Sequence, residues 1–124
     1  MPDIIKNEQP NQAIKADAGK PRLTLVPLKI LTAIARVREY GVMKYKTITG
    51  WKNVGEDRYR DALFRHFVAY IENPEKLDEE SGLPHLWQVA CNAAFLTELS
   101  FDKLNALFEA EMKRRKETER SSSK

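Results

Sequence analysis

Residues 84–99 read PHLWQVACNAAFLTEL, and the fold follows from this stretch. Pro84 opens it, as suits a first helical position whose missing N–H would have no partner anyway. Leu86, Trp87, Val89, Ala90, Ala93, Phe95 and Leu96 then leave little polar face, so the segment predicts a helix covered on most sides, the central one of the chain. Set into it are His85, Gln88 and Asn92, three and four residues apart and therefore on one face. Burying such groups without partners costs about 1–3 kcal/mol each, so something must satisfy them. Two readings stand, an internal hydrogen-bond network or a face turned to a ligand.

Working upstream, a second helix begins near Glu56 or Asp57 and stops at Asn73-Pro74. Its inner stripe is Tyr59, Ala62, Leu63, His66, Phe67, Tyr70 and Ile71, with Arg58, Asp61 and Arg65 beside it. Antiparallel packing of this helix on the central one sets His66 opposite Ala90, within a turn of Asn92, so both histidines share one inter-helix face. Before it, Leu28, Leu31, Ile34, Ala35 and Val37 or Arg38 predict a first helix that runs from Pro27 either to Tyr40 or, past Gly41, to Lys46. Gly50, Trp51, Lys52 and Gly55 mark a polar connector. Downstream, Ser100 caps a fourth helix with Phe101, Leu104, Leu107, Phe108 and Met112 on a narrower stripe. Pro2, Pro10, Gly19 and Pro21 make the start an extended arm. The expectation is all-α: a small bundle of about four helices over 27–112, an N-terminal arm over 1–26, and a basic C-terminal tail over 113–124.

The whole chain, 124 residues with 42% hydrophobic and 31% charged, suits one soluble domain. No apolar run approaches the roughly 20 residues that span a bilayer, which excludes a membrane-spanning helix. The first residues lack a basic stretch followed by an apolar one, so the chain is expected in the cytoplasm, the host's if a phage encodes it. Cys91 is alone, which excludes an internal disulfide and a cysteine zinc site, and it reads as a small core residue. The net charge of +3 is uneven: six basic and two acidic residues leave the tail at +4 and the rest at −1. That tail reads as a solvated helix end, and nucleic acid is not an expected partner because the body offers no basic face. Trp87, Phe95, Phe101 and Phe108 on such short helices predict a homodimer or larger symmetric oligomer.

The chemistry-bearing residues gather around the central helix. Glu75, Asp78, Glu79 and Glu80 form an acidic connector. It is either a solvated loop or, with Glu39 or Asp61, a set of carboxylates for magnesium (Mg2+), which favours oxygen ligands and bridges to phosphates. Ser81-Gly82 ahead of Pro84 offers a helix N-terminus to an anion. Lys20, Arg22, Lys44 and Lys52 sit beside turns or glycines, where they can meet phosphate oxygens, while Tyr45, Trp51 and Tyr59 offer faces on which a base can stack. Arg65 and Gln88 complete the expected substrate-binding set, and His66, His85 and Asn92 the expected catalytic one. Walker loop, dinucleotide fingerprint, nucleophile elbow and adjacent His-Asp pair are all missing from the sequence.

Several of these pieces together resemble a family. They are Asp17-Ala18-Gly19-Lys20-Pro21-Arg22 leading to Leu25-Val26-Pro27, Glu39-Tyr40-Gly41 with Lys44-Tyr45, and Trp51. They continue with Arg58-Tyr59-Arg60-Asp61-Ala62-Leu63, Arg65-His66, the run from Asp78 to His85, and Ala90-Cys91-Asn92-Ala93. The set resembles the mostly phage-encoded dATP/dGTP diphosphohydrolase N-terminal domains, related to all-α, MazG-like nucleotide pyrophosphohydrolases. The resemblance implies a helical domain acting on purine deoxynucleoside triphosphates, with a divalent metal aiding attack of water between the α- and β-phosphates. It implies Asp78, Glu80, His85 and Asn92 as the centre of the site, and Lys20 and Arg22 as phosphate contacts. This chain departs from the pattern at Gln88, where the family often has histidine, and at Gly50, where it often has asparagine. The paired Glu-x-x-Glu motifs of the wider group are not evident, since Glu72 and Glu75 straddle a helix end. Two further readings are a binder that sequesters a cyclic-nucleotide or ADP-ribose-type immune signal without cleaving it, and a scaffold or regulatory bundle.

Overall fold

Pro27 has no N–H to give and lies in the extended region, and the chain turns helical directly after it. In the computed structural model, which describes residues 18–123, this first helix is α1, Leu28–Tyr45. Lys46 ends α1 in the left-handed region at φ 58°, its N–H bonded to the Val42 carbonyl at 2.8 Å. A 3-10 turn, Gly50–Asn53, leads to α2, Glu56–Glu72, whose first turn carries Glu56 and Asp57 as the helix dipole favours. α2 stops at Asn73, ahead of Pro74. Next comes α3, His85–Leu99, then a single residue, Ser100, and α4, Phe101–Ser123. A short 3-10 turn, Leu23–Leu25, precedes α1. The described residues form no strand, and Leu77 and Pro84 meet in an isolated antiparallel bridge. The fold is therefore the expected all-α bundle of four helices. Residues 1–17 of the expected arm, with Pro2, Pro10 and Asp17, lie outside the described residues, as does Lys124.

α3 packs against α1, α2 and α4, most extensively against α2, so its all-round apolar sequence is explained by its central place. Two expectations need correction. Phe67 and Ile71 do not face inward: at 43% and 60% exposure they join Phe64 and Val68 in a stripe on the outer side of α2. The inward face takes Tyr59, Ala62, Leu63, His66 and Tyr70, which already fills one side of a 3.6-residue helix. His66 lies against His85 rather than Ala90. The connector after α2 folds back alongside it, closed by the Leu77–Pro84 bridge, so α3 starts level with His66 instead of at the end of α2.

The buried residues among those described are Tyr59, Gln88 and Cys91, of which Cys91 is fully enclosed. α4 packs only lightly on α3, and Phe101, Leu104, Leu107 and Phe108 are each more than half exposed. It continues unbroken as helix through the basic segment from Lys113 onward, where Arg114 and Arg115 both pair with Glu111.

Candidate functional site

A cavity of about 600 Å3 opens where α1, the Gly50–Asn53 turn, α2 and α3 meet, and all three buried residues line it. Its aromatic wall is built from three elements. Trp51 stacks on Phe95 with ring centres 4.7 Å apart and planes 16° apart, and Tyr59 tilts against Phe95 at 4.9 Å. The Tyr59 hydroxyl donates to the Trp51 carbonyl, so α2 holds the turn against α3. Gly50 begins that turn because an added Cβ would come within 2.5 Å of the Thr47 methyl, while the Gly50 N–H bonds to the Thr47 hydroxyl at 3.1 Å. An asparagine here, as in the family pattern, therefore requires Thr47 to move.

Four cations line the same cavity: Arg38, Lys44, Arg58 and Arg65. Arg38 reaches across it, with its guanidinium carbon 5.5 Å from the Phe95 ring centre and 5.9 Å from that of Trp51, and donates to the Ile48 carbonyl. Lys44 pairs with Glu80 and sits 5.1 Å from the Tyr45 ring centre. Bonding to Glu80, then to Tyr45, raises the Lys44 pKa, which keeps it a cation.

Beneath these lies a polar network rooted in the connector. Asp78 Oδ2 accepts from the Ser81 hydroxyl at 2.8 Å, from the Ser81 N–H at 3.3 Å and from Gln88 Nε2 at 3.3 Å. Gln88 Nε2 also donates to Ser81 Oγ at 3.2 Å, and Asn92 Nδ2 donates to the Gln88 backbone carbonyl at 2.7 Å. Gly82, at φ 73°, lets the loop double back so that its N–H meets the Asp78 carbonyl at 2.7 Å. Burial raises the Asp78 pKa, but the bonds from Ser81 and Gln88 and the charge of His66 outweigh it, so the carboxyl titrates below its ordinary value. Next to this network His66 and His85 face each other, Nδ1 to Nδ1 at 2.9 Å. Burial, above all, lowers the His66 pKa below 6.5, against the opposing pull of Asp78. Cys91, 1% exposed, has its thiol pushed up to about 11 by burial and stays protonated, as a small core residue should.

The structure gathers Lys44, Tyr45, Trp51, Arg65, His66, Glu80, Gln88 and Asn92 on one cavity. His85, Asp78 and Ser81 stand behind it, bonded to His66 or Gln88. Ser81 is thus engaged in holding Gln88 and Asp78. Glu39 and Asp61 are exposed, Glu39 3.8 Å from Arg36, and neither lines the cavity. Lys20 and Arg22 do not line it either; their neighbours Gly19 and Pro21 border a second hollow against Phe101, Asn105 and Phe108 of α4. Among the described residues no three His, Cys, Asp or Glu side chains converge to hold a metal ion, and Glu39 and Asp61 lie apart from Glu80 at the cavity. Arg38 was not among the expected site residues. Its signal was its position: with Ile34, Val37 and Gly41 it falls at the spacing of the inner face of α1.

Fold and site together define an all-α protein with a hollow at the meeting of α1, α2 and α3 walled by arginine, lysine and aromatic rings. The chain belongs to the dATP/dGTP diphosphohydrolase N-terminal family, whose model matches residues 10–119. A dATP/dGTP diphosphohydrolase of Salmonella phage PMBT28 is 34% identical to it over 83 residues, 67% of this chain. The match spans 28% of that protein's length. No solved structure matches the chain. Among the described residues no helix is long and apolar enough to cross a membrane.

Proposed function

We propose that this cavity holds a purine deoxynucleoside triphosphate and that the chain contributes to its hydrolysis to monophosphate and pyrophosphate. The observation that carries this reading is the grouping of Arg38, Lys44, Arg58 and Arg65 with stacked Trp51 and Phe95 around a single hollow. Such a lining balances a polyanion and offers a flat apolar surface to a base. Its volume, about 600 Å3, is in the range of small-molecule sites. The family and the phage relative carry the name of this reaction.

His66 is the histidine that lines the cavity, with His85 backing it. Held neutral at pH 7 by burial, His66 is suited to accept a proton from a water molecule, provided its Nδ1–H is the donor to His85 and its Nε2 is bare. Magnesium enters the proposal as the companion of the triphosphate rather than as a resident ion, with Glu80 and Asp78 as the carboxylates beside the cavity. The chain works as a homo-oligomer, most simply a dimer, since so much apolar surface is open. Incubation with each nucleoside triphosphate and magnesium, followed by separation of products, tests the activity: deoxyadenosine or deoxyguanosine monophosphate with pyrophosphate is expected. Absence of turnover for every nucleotide removes it.

A second reading is binding without cleavage. It is favoured by the engagement of both nearby carboxylates with protein partners, Asp78 with Ser81 and Gln88, Glu80 with Lys44. Recovery of intact nucleotide, including a cyclic or ADP-ribose type, from heat-denatured protein supports it; recovery of cleaved product excludes it.

A further inference from the structure

We propose that Gln88 and Asn92 present a pair of bare carbonyl oxygens that select a base by its exocyclic amine, and that Asp78 is the positioning residue that sets their polarity; this rests on the nucleotide reading above. The orientation of each amide is dictated by its partners. Gln88 faces Asp78 Oδ2 and Ser81 Oγ. An ionised carboxylate only accepts, and the Ser81 hydroxyl already spends its proton on Asp78, so Ser81 can only accept as well. Turning the amide over would set oxygen against oxygen at both contacts. Asn92 is fixed in the same way, because its Nδ2 faces a backbone carbonyl, which cannot donate.

With both N–H bonds of Gln88 Nε2 committed and Asn92 Nδ2 fixed by one of its two, Gln88 Oε1 and Asn92 Oδ1 are the acceptors that remain, beside one N–H of Asn92. Among the described residues no protein donor reaches either oxygen. Among the described residues no side-chain nitrogen or oxygen sealed from solvent lacks a partner, so both oxygens are open. The space they open to is the cavity that both residues line. Two acceptors one helical turn apart call for donors in the ligand. A bare cation is disfavoured there, since four cations line the same space and its one carboxylate, Glu80, is already paired with Lys44. A sugar hydroxyl and a base amine remain. Phe95, three residues beyond Asn92 and stacked on Trp51, places a flat aromatic wall beside the acceptors, which suits a planar ring with its edge toward them.

The test is a calorimetric titration of the full chain without divalent ions, using matched probes. dATP is compared with the deoxynucleoside triphosphate of unsubstituted purine, which lacks the amine, and with ATP, which adds a hydroxyl. The expected result is at least tenfold tighter binding of dATP than of the amine-free analogue. That ratio should fall to near one in Asn92→Leu and Gln88→Met, which keep shape without the oxygen. In Asp78→Asn it should fall too, because an asparagine can donate and lets Gln88 turn over; a merely structural Asp78 would lower all affinities and leave the ratio. Should Gln88→Met fail to fold, Asn92→Leu, which makes no bond to Asp78, carries the test. Equal binding of dATP and the amine-free analogue overturns this inference and leaves the nucleotide reading standing. A ratio that follows the sugar hydroxyl, or magnesium binding to the ligand-free protein that Asn92→Leu abolishes, also overturns it. Failure of every nucleotide to bind removes both.

Discussion

Of His66 and His85, one must donate through Nδ1 while the other accepts, so the pair is at home with one hydrogen between those two atoms. A further proton on His66 removes the acceptor and charges a group that burial already disfavours as a cation. The sign of the pH effect follows. His66 has its folded pKa below the ordinary 6.5, so the unfolded chain takes up the proton first as the solution is acidified. Its contribution to stability is complete above 6.5 and is lost as pH falls from there through the folded value. Asp78, also depressed, keeps its contribution until pH falls below 3.8 and on through its folded value. Urea midpoints measured at pH 8 and pH 5.5 should therefore drop at the lower pH, and His66→Gln should flatten the difference; an unchanged midpoint in the natural chain contradicts the account. The two histidines were readable as sharing a face because both lie on inner stripes. Their direct contact was not, because it depends on where the connector returns, and periodicity along a helix carries no information about that. Arg38 escaped for a related reason: an arginine on an apolar stripe counts as polar in the pattern, although its stem and flat guanidinium pack on rings.

Helix ends were the most legible feature of the elements. Pro27, Asn73-Pro74, Pro84 and Ser100 each remove a donor, bar the helical region or redirect the chain, and the helices start or stop beside them. The connector between α2 and α3 was legible as acidic and turn-like but not as a folded piece, since its shape comes from Asp78 and Ser81 bonding to one another and to Gln88, contacts made across ten residues. Gly82 is where this can be checked. Its φ of 73° suits glycine and asparagine, and a β-carbon there meets no neighbour, so the cost of a side chain is conformational alone. Gly82→Ala should destabilise the fold by about 1–2 kcal/mol, while Gly82→Asn should cost less, measured by chemical denaturation. If alanine is tolerated without loss, the loop does not depend on that backbone state.

The molecule as a whole carries more surface than its mass warrants. A compact 14.3 kDa monomer exposes about 6,800 Å2. This chain exposes 10552 Å2. Setting aside about 2,800 Å2, the most that residues 1–17 can expose, leaves about 7,750 Å2. A compact chain of the remaining mass, about 12.4 kDa, exposes about 6,100 Å2, so an excess of about 1,600 Å2 stays. An obligate dimer hides roughly 1,000–2,500 Å2 on each protomer, and the outer stripe of α2, with Phe64 65% and Ile71 60% exposed, together with α4 supplies apolar surface for it. Light scattering at micromolar concentration should give at least twice 14.3 kDa, and a mass of 14.3 kDa contradicts the assembly.

Tyr59, Gln88 and Cys91, the best hidden from water of the described residues, are also walls of the hollow, so on the proposed reading a nucleotide sits where a small protein would otherwise place side chains. An occupant then acts as the missing piece of the interior, and recognition and folding become one equilibrium. At a hundred times its dissociation constant such a guest adds about 2.7 kcal/mol to the folded state, which raises the melting midpoint on the order of 10 °C. A thermal melt with and without dATP thus reads occupancy directly, and the unliganded chain should be the one that proteases find.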